Sequence, residues 1–143
     1  MNIIEYRNKP GSELSMTGIK FISHKNKQIL YLDFTNMKAM EALNHLENSK
    51  TVIIKQPRRT IFLLVNASGM HVEGNLPGFI KSYVIKIIND YLTFCSHYVI
   101  ASAVIPPVKL NKDFISSIKR PKEGSVGIFE DIENAKEWLV EQC

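Results

Sequence analysis

The sequence is poor in the residues that mark disulfide-rich and metal-binding proteins. Its 143 residues include only two cysteines and four histidines, and they form no CxxC motif and no cluster with zinc-ligand spacing. Cys95 lies on the apolar side of a helical pattern, so we predict a buried thiol there. A disulfide from Cys95 to Cys143 stays open from sequence alone, although a reducing compartment would keep both as thiols. We therefore expect no metal site and no cofactor.

Long hydrophobic runs are missing as well. The longest candidate, residues 79–92, is interrupted by two lysines, an asparagine and an aspartate, and it falls short of the roughly 18 apolar residues that cross a bilayer. The first residues carry Glu5 and no apolar stretch typical of a secretory signal. The expectation is a cytoplasmic protein without a transmembrane segment.

Neither sign of charge dominates the chain. Eighteen Lys and Arg stand against fourteen Asp and Glu, a net charge of +4 that is too small to indicate nucleic acid as a partner. Hydrophobic residues make up 45% and charged residues 22%, which is typical of a globular domain. Residues 1–17 show no sustained period and are predicted to be an N-terminal extension to one domain over residues 18–143.

Strand and helix patterns alternate along that domain, which predicts an α/β fold with parallel strand pairs and right-handed crossovers. Two runs that are apolar almost throughout indicate central strands buried on both faces. In residues 29–34 odd and even positions are predicted to face opposite sides of the sheet. The predicted elements are strands over 19–23 and 28–34, a helix capped by Asn36, a strand over 60–65, a helix over 76–96, a strand over 99–105, a weakly patterned helix over 108–120, a strand over 126–129 and a helix capped by Asp131.

Three of the helices carry an apolar stripe at three- and four-residue spacing, which predicts the side that each one buries. The predicted positions are Met40, Leu43, Leu46, Lys50 and Ile53 or Ile54 in the first helix; Leu76, Phe79, Ile80, Tyr83, Val84, Ile87, Ile88, Tyr91 and Cys95 in the second; and Ile132, Ala135, Trp138 and Leu139 in the last.

No motif of a known catalytic site is present. The sequence has no GxxxxGK[ST] phosphate loop, no GxGxxG, no HExxH and no GxSxG elbow. Ser68 and His71 stand three residues apart in one loop, which makes a hydrolase the weakest of the functions considered. We expect a protein that is not an enzyme.

The loop over residues 66–75 is the main candidate for a binding site. It leaves the carboxyl end of a central strand and enters a helix N-terminus, where open α/β sheets usually bind ligands and where free amides suit an anion. The alternative is a plain connection whose glycines and polar residues serve only the turn. The predicted partner-binding residues are Asn66, Ser68, Gly69, Met70, His71, Val72, Glu73, Gly74, Asn75 and Phe79.

A second candidate surface is basic. Two interpretations are open: a helix face that is simply solvated, or a docking surface for acidic partners or anionic lipid head groups. Its residues are Lys109, Lys112, Lys119, Arg120 and Lys122.

Several segments together carry a resemblance to a known group of proteins. They are Ile29-Leu-Tyr-Leu-Asp-Phe34, Phe62-Leu-Leu-Val-Asn-Ala-Ser-Gly69, the strand over 97–105, and Ile128-Phe-Glu-Asp-Ile-Glu-Asn-Ala-Lys-Glu-Trp-Leu139. Over about residues 18–142 the chain resembles the SpoIIAA-like group of the STAS superfamily, named for sulfate transporters and anti-sigma factor antagonists. The last of the segments, an acidic cap followed by Ala-x-x-Trp-Leu, is the best match.

The resemblance implies a single-domain STAS/SpoIIAA-like fold, with a four- to five-stranded mixed sheet and about four helices packed mainly on one side. Typical members of that group bind a kinase-like anti-sigma factor and are switched by phosphorylation of a serine in an Asp-Ser-x-Gly loop. That loop corresponds here to residues 71–75, which contain no serine or threonine. The resemblance implies partner binding, and this departure from the group's motif predicts that the phosphoserine switch is absent. Glu73 is hypothesised to act as a permanent anion near the acceptor position.

Two functions are carried forward as expectations. The first is a non-enzymatic regulatory or scaffolding module that binds a protein partner through residues 66–80. The alternative is a small-ligand or lipid-binding carrier, since the superfamily resembles lipid-transfer domains in architecture and the helix over 76–96 could flank a cavity. Homodimer formation and peripheral contact with lipid stay open, and nucleic acid is not an expected partner.

Overall fold

The computed structural model describes residues 18–71, 78–107 and 125–142, with the backbone alone for 78–81. Its elements in chain order are β1 (Ile19–His24), β2 (Lys27–Asp33), α1 (Ala39–Ile53), β3 (Phe62–Asn66), α2 (Gly78–Ser96), β4 (Ala101–Ile105), β5 (Ser125–Ile128) and α3 (Ile132–Glu141). The described strands lie within two residues of the predicted bounds. The helix predicted over 108–120 lies outside the described residues.

The five strands form one mixed sheet in the order β1-β2-β3-β4-β5. The hairpin β1–β2 is antiparallel and every other neighbouring pair is parallel, which confirms the predicted α/β class. Helices α1 and α2 pack on one face and α3 packs on the other. The described part of the chain therefore holds three helices on two faces, whereas about four mainly on one side were expected.

The β1–β2 hairpin closes through a two-residue turn. Lys25 and Asn26 have φ angles of 51° and 65°, the left-handed pair that suits the twist of a tight hairpin. The same turn is joined to α3, because the Glu137 carboxylate lies 2.9 Å from His24 Nε2 and 2.6 Å from Lys25 Nζ. This contact holds the last described helix against the first hairpin.

The sheet separates two apolar cores, as the alternation in β2 predicts. Leu30 and Leu32 face α1 and α2, while Ile29 and Tyr31 face α3. The N-terminus of α3 is capped as predicted, since Asp131 accepts a hydrogen bond from a backbone N–H in its first turn. The predicted face of α3 is confirmed: Ala135 and Leu139 are buried, and Ile132 and Trp138 pack beside them.

The start of α1 differs from the prediction. The residue that precedes the helix is Lys38, with extended backbone angles and no side-chain cap, so the assignment of Asn36 as cap is wrong. Asn36 instead has a left-handed φ of 64°, a conformation that asparagine tolerates better than most residues. The Asn36 backbone N–H donates to the Gly69 carbonyl. Asn36 therefore joins the segment before α1 to the segment that follows β3.

Two residues that were predicted to be core are exposed. Met40 is 67% exposed and Tyr83 is 58% exposed, and Ile54 rather than Ile53 faces solvent. Small residues take the place of Met40, since Ala42 and Ser49 are buried on the inner side of α1. The other described members of the predicted stripes are buried or half-buried.

Cys95 is fully buried, as predicted, and burial raises the pKa of its thiol to about 12. Cys143 lies outside the described residues. Within the ranges that the structure covers, no helix is both long and apolar enough to cross a membrane.

Candidate functional site

The candidate site lies at the carboxyl edge of β2 and β3. The segments that follow these two strands continue side by side beyond the sheet. Asp33 and Asn66 are register partners at the ends of the strands. Beyond them the Asn36 N–H donates to the Gly69 carbonyl at 2.9 Å, and the His71 N–H donates to the Met37 carbonyl at 2.8 Å. Residues 66–71 are therefore fixed against residues 33–38 and do not form an independent loop.

The same turn follows both strands. Asp33 Oδ1 accepts hydrogen bonds from the Thr35 N–H at 3.0 Å and from Thr35 Oγ1 at 2.6 Å. Asn66 Oδ1 accepts from the Ser68 N–H at 3.1 Å and from Ser68 Oγ at 2.7 Å. Each side chain thus replaces a backbone acceptor in its own turn, which is how aspartate and asparagine stabilise turns in general.

Asn66 also ties its turn to the core on the α3 side. Its Nδ2 donates to Tyr31 Oη at 2.9 Å, and both residues are at least nine-tenths buried. Burial raises the pKa of the Tyr31 phenol, and the hydrogen bond from Asn66 opposes this rise only in part. The phenol is therefore neutral at physiological pH and serves as a fixed acceptor for Asn66.

Gly69 is required by the close approach of the two turns. A Cβ at this position would lie 3.0 Å from Thr35 Oγ1 and 3.2 Å from two of its carbon atoms, closer than ordinary van der Waals contact. The absence of a side chain lets residues 69–71 pair with residues 36–38. The plain-connection alternative assigned Gly69 to the turn for its backbone angles, and the structure gives a steric reason instead, because the position has no room for a Cβ.

Side chains in this segment alternate between the interior and the surface. Ala67 is buried and Met70 packs against the core beneath α1 and α2, whereas Ser68 and His71 are exposed. The segment therefore presents polar groups outward and apolar groups inward.

The chemistry of the segment does not match that of a nucleophile. The Ser68 hydroxyl directs its single proton to the Asn66 amide oxygen, which cannot act as a general base as a histidine would. In the described parts of the chain no three His, Cys, Asp or Glu side chains come together as a metal site would need.

An apolar cavity lies beneath this segment, between α1, α2 and the carboxyl ends of the strands. Its volume is about 40 Å³, measured by the positions open to the centre of a water molecule. A cavity holds one water when a water-sized sphere occupies about 10–15 Å³ of it, and this cavity exceeds that requirement. The described side chains around it are hydrocarbon apart from one thioether and one phenol, and they include Phe34, Leu43, Ala67, Met70, Val84 and Pro107.

The predicted partner-binding residues fall into two groups. The structure brings Asn66, Ser68, Gly69, Met70 and His71 together as described. Four others lie outside the described residues: Val72, Glu73, Gly74 and Asn75. Phe79 is described by its backbone alone, in α2. The basic surface also lies outside them: Lys109, Lys112, Lys119, Arg120 and Lys122.

Sequence reasoning missed the contribution of β2 to this site. Asp33 and Thr35 hold the first turn, and Thr35 is the neighbour that Gly69 contacts. A signal was present, because Asp33-x-Thr35 and Asn66-x-Ser68 are both an acidic or amide residue followed two positions later by a hydroxyl. Two such patterns at the ends of neighbouring parallel strands indicate paired turns at one edge.

Comparison with known proteins adds no family to this description, since no protein-family model and no curated protein matches the chain.

Proposed function

We propose that the chain is a non-enzymatic regulatory or scaffolding module that binds a protein partner at the carboxyl edge of β2 and β3. The observation that carries the proposal is the pairing of residues 66–71 with residues 33–38 through hydrogen bonds of 2.8 to 3.0 Å. A surface whose backbone is already ordered loses little conformational freedom when a partner docks, so more of the contact energy is available for binding.

The exposed groups of the segment suit a polar contact. Ser68 and His71 point to solvent, and the turn behind them satisfies its own backbone through Asn66. The resemblance to the SpoIIAA-like group supports the same proposal, since partner binding without catalysis is what that resemblance implies. We also propose that the protein is cytoplasmic and that residues 71–75 do not act as a phosphoserine switch.

The test is an affinity capture from lysate of the source cells with three forms of the chain. The edge variant carries Ser68→Arg and His71→Glu, which change the exposed groups and leave Asn66 in place. The matched control carries Ser23→Glu and Gln28→Arg, exposed register partners at the opposite end of the hairpin. Both variants add one positive and one negative charge, and circular dichroism checks that both fold.

The proposal predicts a protein that wild type and control capture equally and that the edge variant loses. Direct titration of that purified protein with the three forms then measures the loss. A partner held equally by all three forms would place the contact elsewhere. Turnover of any substrate that depends on Ser68 would contradict the non-enzymatic assignment.

A second candidate function is a small-ligand carrier, and the apolar cavity between α1 and α2 is the observation that favours it. This function predicts a molecule that co-purifies with the chain. Organic extraction of the purified protein followed by mass spectrometry would detect it, with an unrelated protein from the same preparation as the control.

A further inference from the structure

The cavity offers no polar group to a ligand among its described side chains. Of the lining residues that the structure describes, Tyr91 is the one with a hydroxyl, and that hydroxyl lies 2.6 Å from Ser49 Oγ. Ser49 in turn donates to the Leu46 carbonyl at 2.7 Å, so the Tyr91 O–H donates to Ser49. Because the Tyr91 hydroxyl is engaged in a hydrogen bond within the core, Tyr91 contributes only its aromatic ring to the cavity lining.

This lining restricts the chemistry of an occupant. A charged or hydrogen-bonding group placed here would lose its water without gaining a partner, at a cost of roughly 1–3 kcal/mol for a neutral polar group and far more for a charge. Apolar cavities of this kind stay dry and accept apolar molecules. The described lining therefore favours an uncharged occupant with a hydrocarbon surface.

The volume restricts its size. The positions open to the centre of a water molecule fill about 40 Å³, and the volume that such a sphere sweeps out is larger because its radius is added on every side. An apolar cavity of about 150 Å³ holds one benzene, so a single ring is the size to test. A full lipid acyl chain would need α1 and α2 to separate, and the Ser49–Tyr91 hydrogen bond joins those two helices. The size thus favours a small molecule over a lipid.

We propose that the cavity between α1, α2 and the carboxyl ends of β2, β3 and β4 binds a small, uncharged apolar molecule about as large as one aromatic ring. The proposal rests on the ligand-carrier function above and specifies its site and ligand class. Ala67 and Met70 place the ligand against the inner side of the paired segment, and Val84 and Ile88 of α2 enclose it from the other side.

The experiment uses the full chain with labelled methyl groups, titrated with benzene and followed by nuclear magnetic resonance. Saturable shifts are expected at the methyl groups of Leu43, Leu46 and Val84, which line the cavity. The methyl groups of Leu139 are the internal control, because they lie in the core on the other face of the sheet. Benzene in excess is a probe of ring size and carries no claim about the natural ligand.

Two variants of one helix make the test specific. Ala42→Met puts a long side chain into the cavity and should abolish the shifts, whereas Asn44→Met puts the same side chain on the exposed face and should keep them. Ala39→Leu is a second filling variant at a half-buried lining position, in case Ala42→Met does not fold.

The proposal is supported if the filling variants lose the shifts while Asn44→Met keeps them. It is overturned if wild type gives no saturable shift, or if Ala42→Met responds as wild type does. A charged amphiphile that co-purifies while benzene has no effect would also overturn this site and ligand class, yet it would leave the carrier function standing.

Discussion

Replacement of Asn66 by alanine tests whether the paired turns are held by this one side chain. Asn66→Ala removes three hydrogen bonds, of which one joins two buried residues and two are donated by the exposed Ser68. A buried bond contributes roughly 0.5–1.5 kcal/mol, and a buried group left unpaired adds to that cost, whereas groups on an exposed residue can bond water instead. We expect the free energy of unfolding to fall by about 2 kcal/mol.

The assay has a global and a local part. Urea denaturation gives the change in unfolding free energy, and amide hydrogen exchange reports on the Asn36 and His71 N–H groups, whose bonds join the two turns. Both amides should exchange faster in Asn66→Ala, beyond what the loss of global stability explains, because the weakened turn positions the Gly69 carbonyl that accepts from Asn36 and leads into His71, whose N–H donates to Met37.

Tyr31→Phe is the matched control. It removes the acceptor of Asn66 Nδ2 in the core but leaves in place both bonds that Ser68 donates to Asn66 Oδ1. Global stability should fall by roughly 1 kcal/mol while exchange at Asn36 and His71 changes only with global stability. If Asn66→Ala left exchange at these amides unchanged, the argument that its side chain orders the site would be refuted.

Three further predictions concern the rest of the fold. Ser49→Ala should cost more stability than Tyr91→Phe in urea denaturation, since it leaves the Tyr91 hydroxyl without its oxygen acceptor while Tyr91→Phe leaves Ser49 bonded to a carbonyl. Lys25 lowers the pKa of Glu137, so this pair stabilises the fold above the usual glutamate pKa and loses its effect as pH falls below it. The difference in Tm between wild type and Glu137→Gln should therefore shrink from pH 7 to pH 3. Cys95, whose thiol pKa is about 12, should resist a thiol reagent at pH 8 until urea is added, as read by peptide mass spectrometry.

The fold class followed from local patterns, because burial on both faces of β3 and β4 requires runs that are apolar almost throughout. The side of α1 that packs inward was less accessible to sequence reasoning. Hydropathy alone places Met40 inside, yet the helix buries Ala42 and Ser49, whose small side chains allow close packing. The Ser49 hydroxyl bonds a carbonyl of its own helix, and its second partner, the Tyr91 hydroxyl, comes only from the tertiary structure. A hydropathy scale scores each residue by itself and therefore does not register a hydrogen-bond partner on another helix.

The candidate site shows the same division between local and tertiary information. The turn propensities of Asn66 and Ser68 are local and were open to sequence reasoning. The pairing of this turn with the one at Asp33 depends on the parallel register of β2 and β3, which joins residues 33 positions apart in the chain. The cavity depends further on the small side chains of Ala42 and Ala67, which no periodicity distinguishes from filled core positions.

The two proposed sites share one segment, since Ala67 and Met70 face the cavity while Ser68 and His71 face solvent. A ligand in the cavity changes the outer surface only if it binds two arrangements of the segment with different affinity. The hydrogen bonds to residues 36–38 favour one arrangement, so we expect saturating benzene to change exchange at the His71 amide by less than about twofold. That limit lies below the roughly fivefold effects at which allosteric coupling usually begins. A larger change, absent in Ala42→Met, would show that the segment has two arrangements and that ligand and partner are linked.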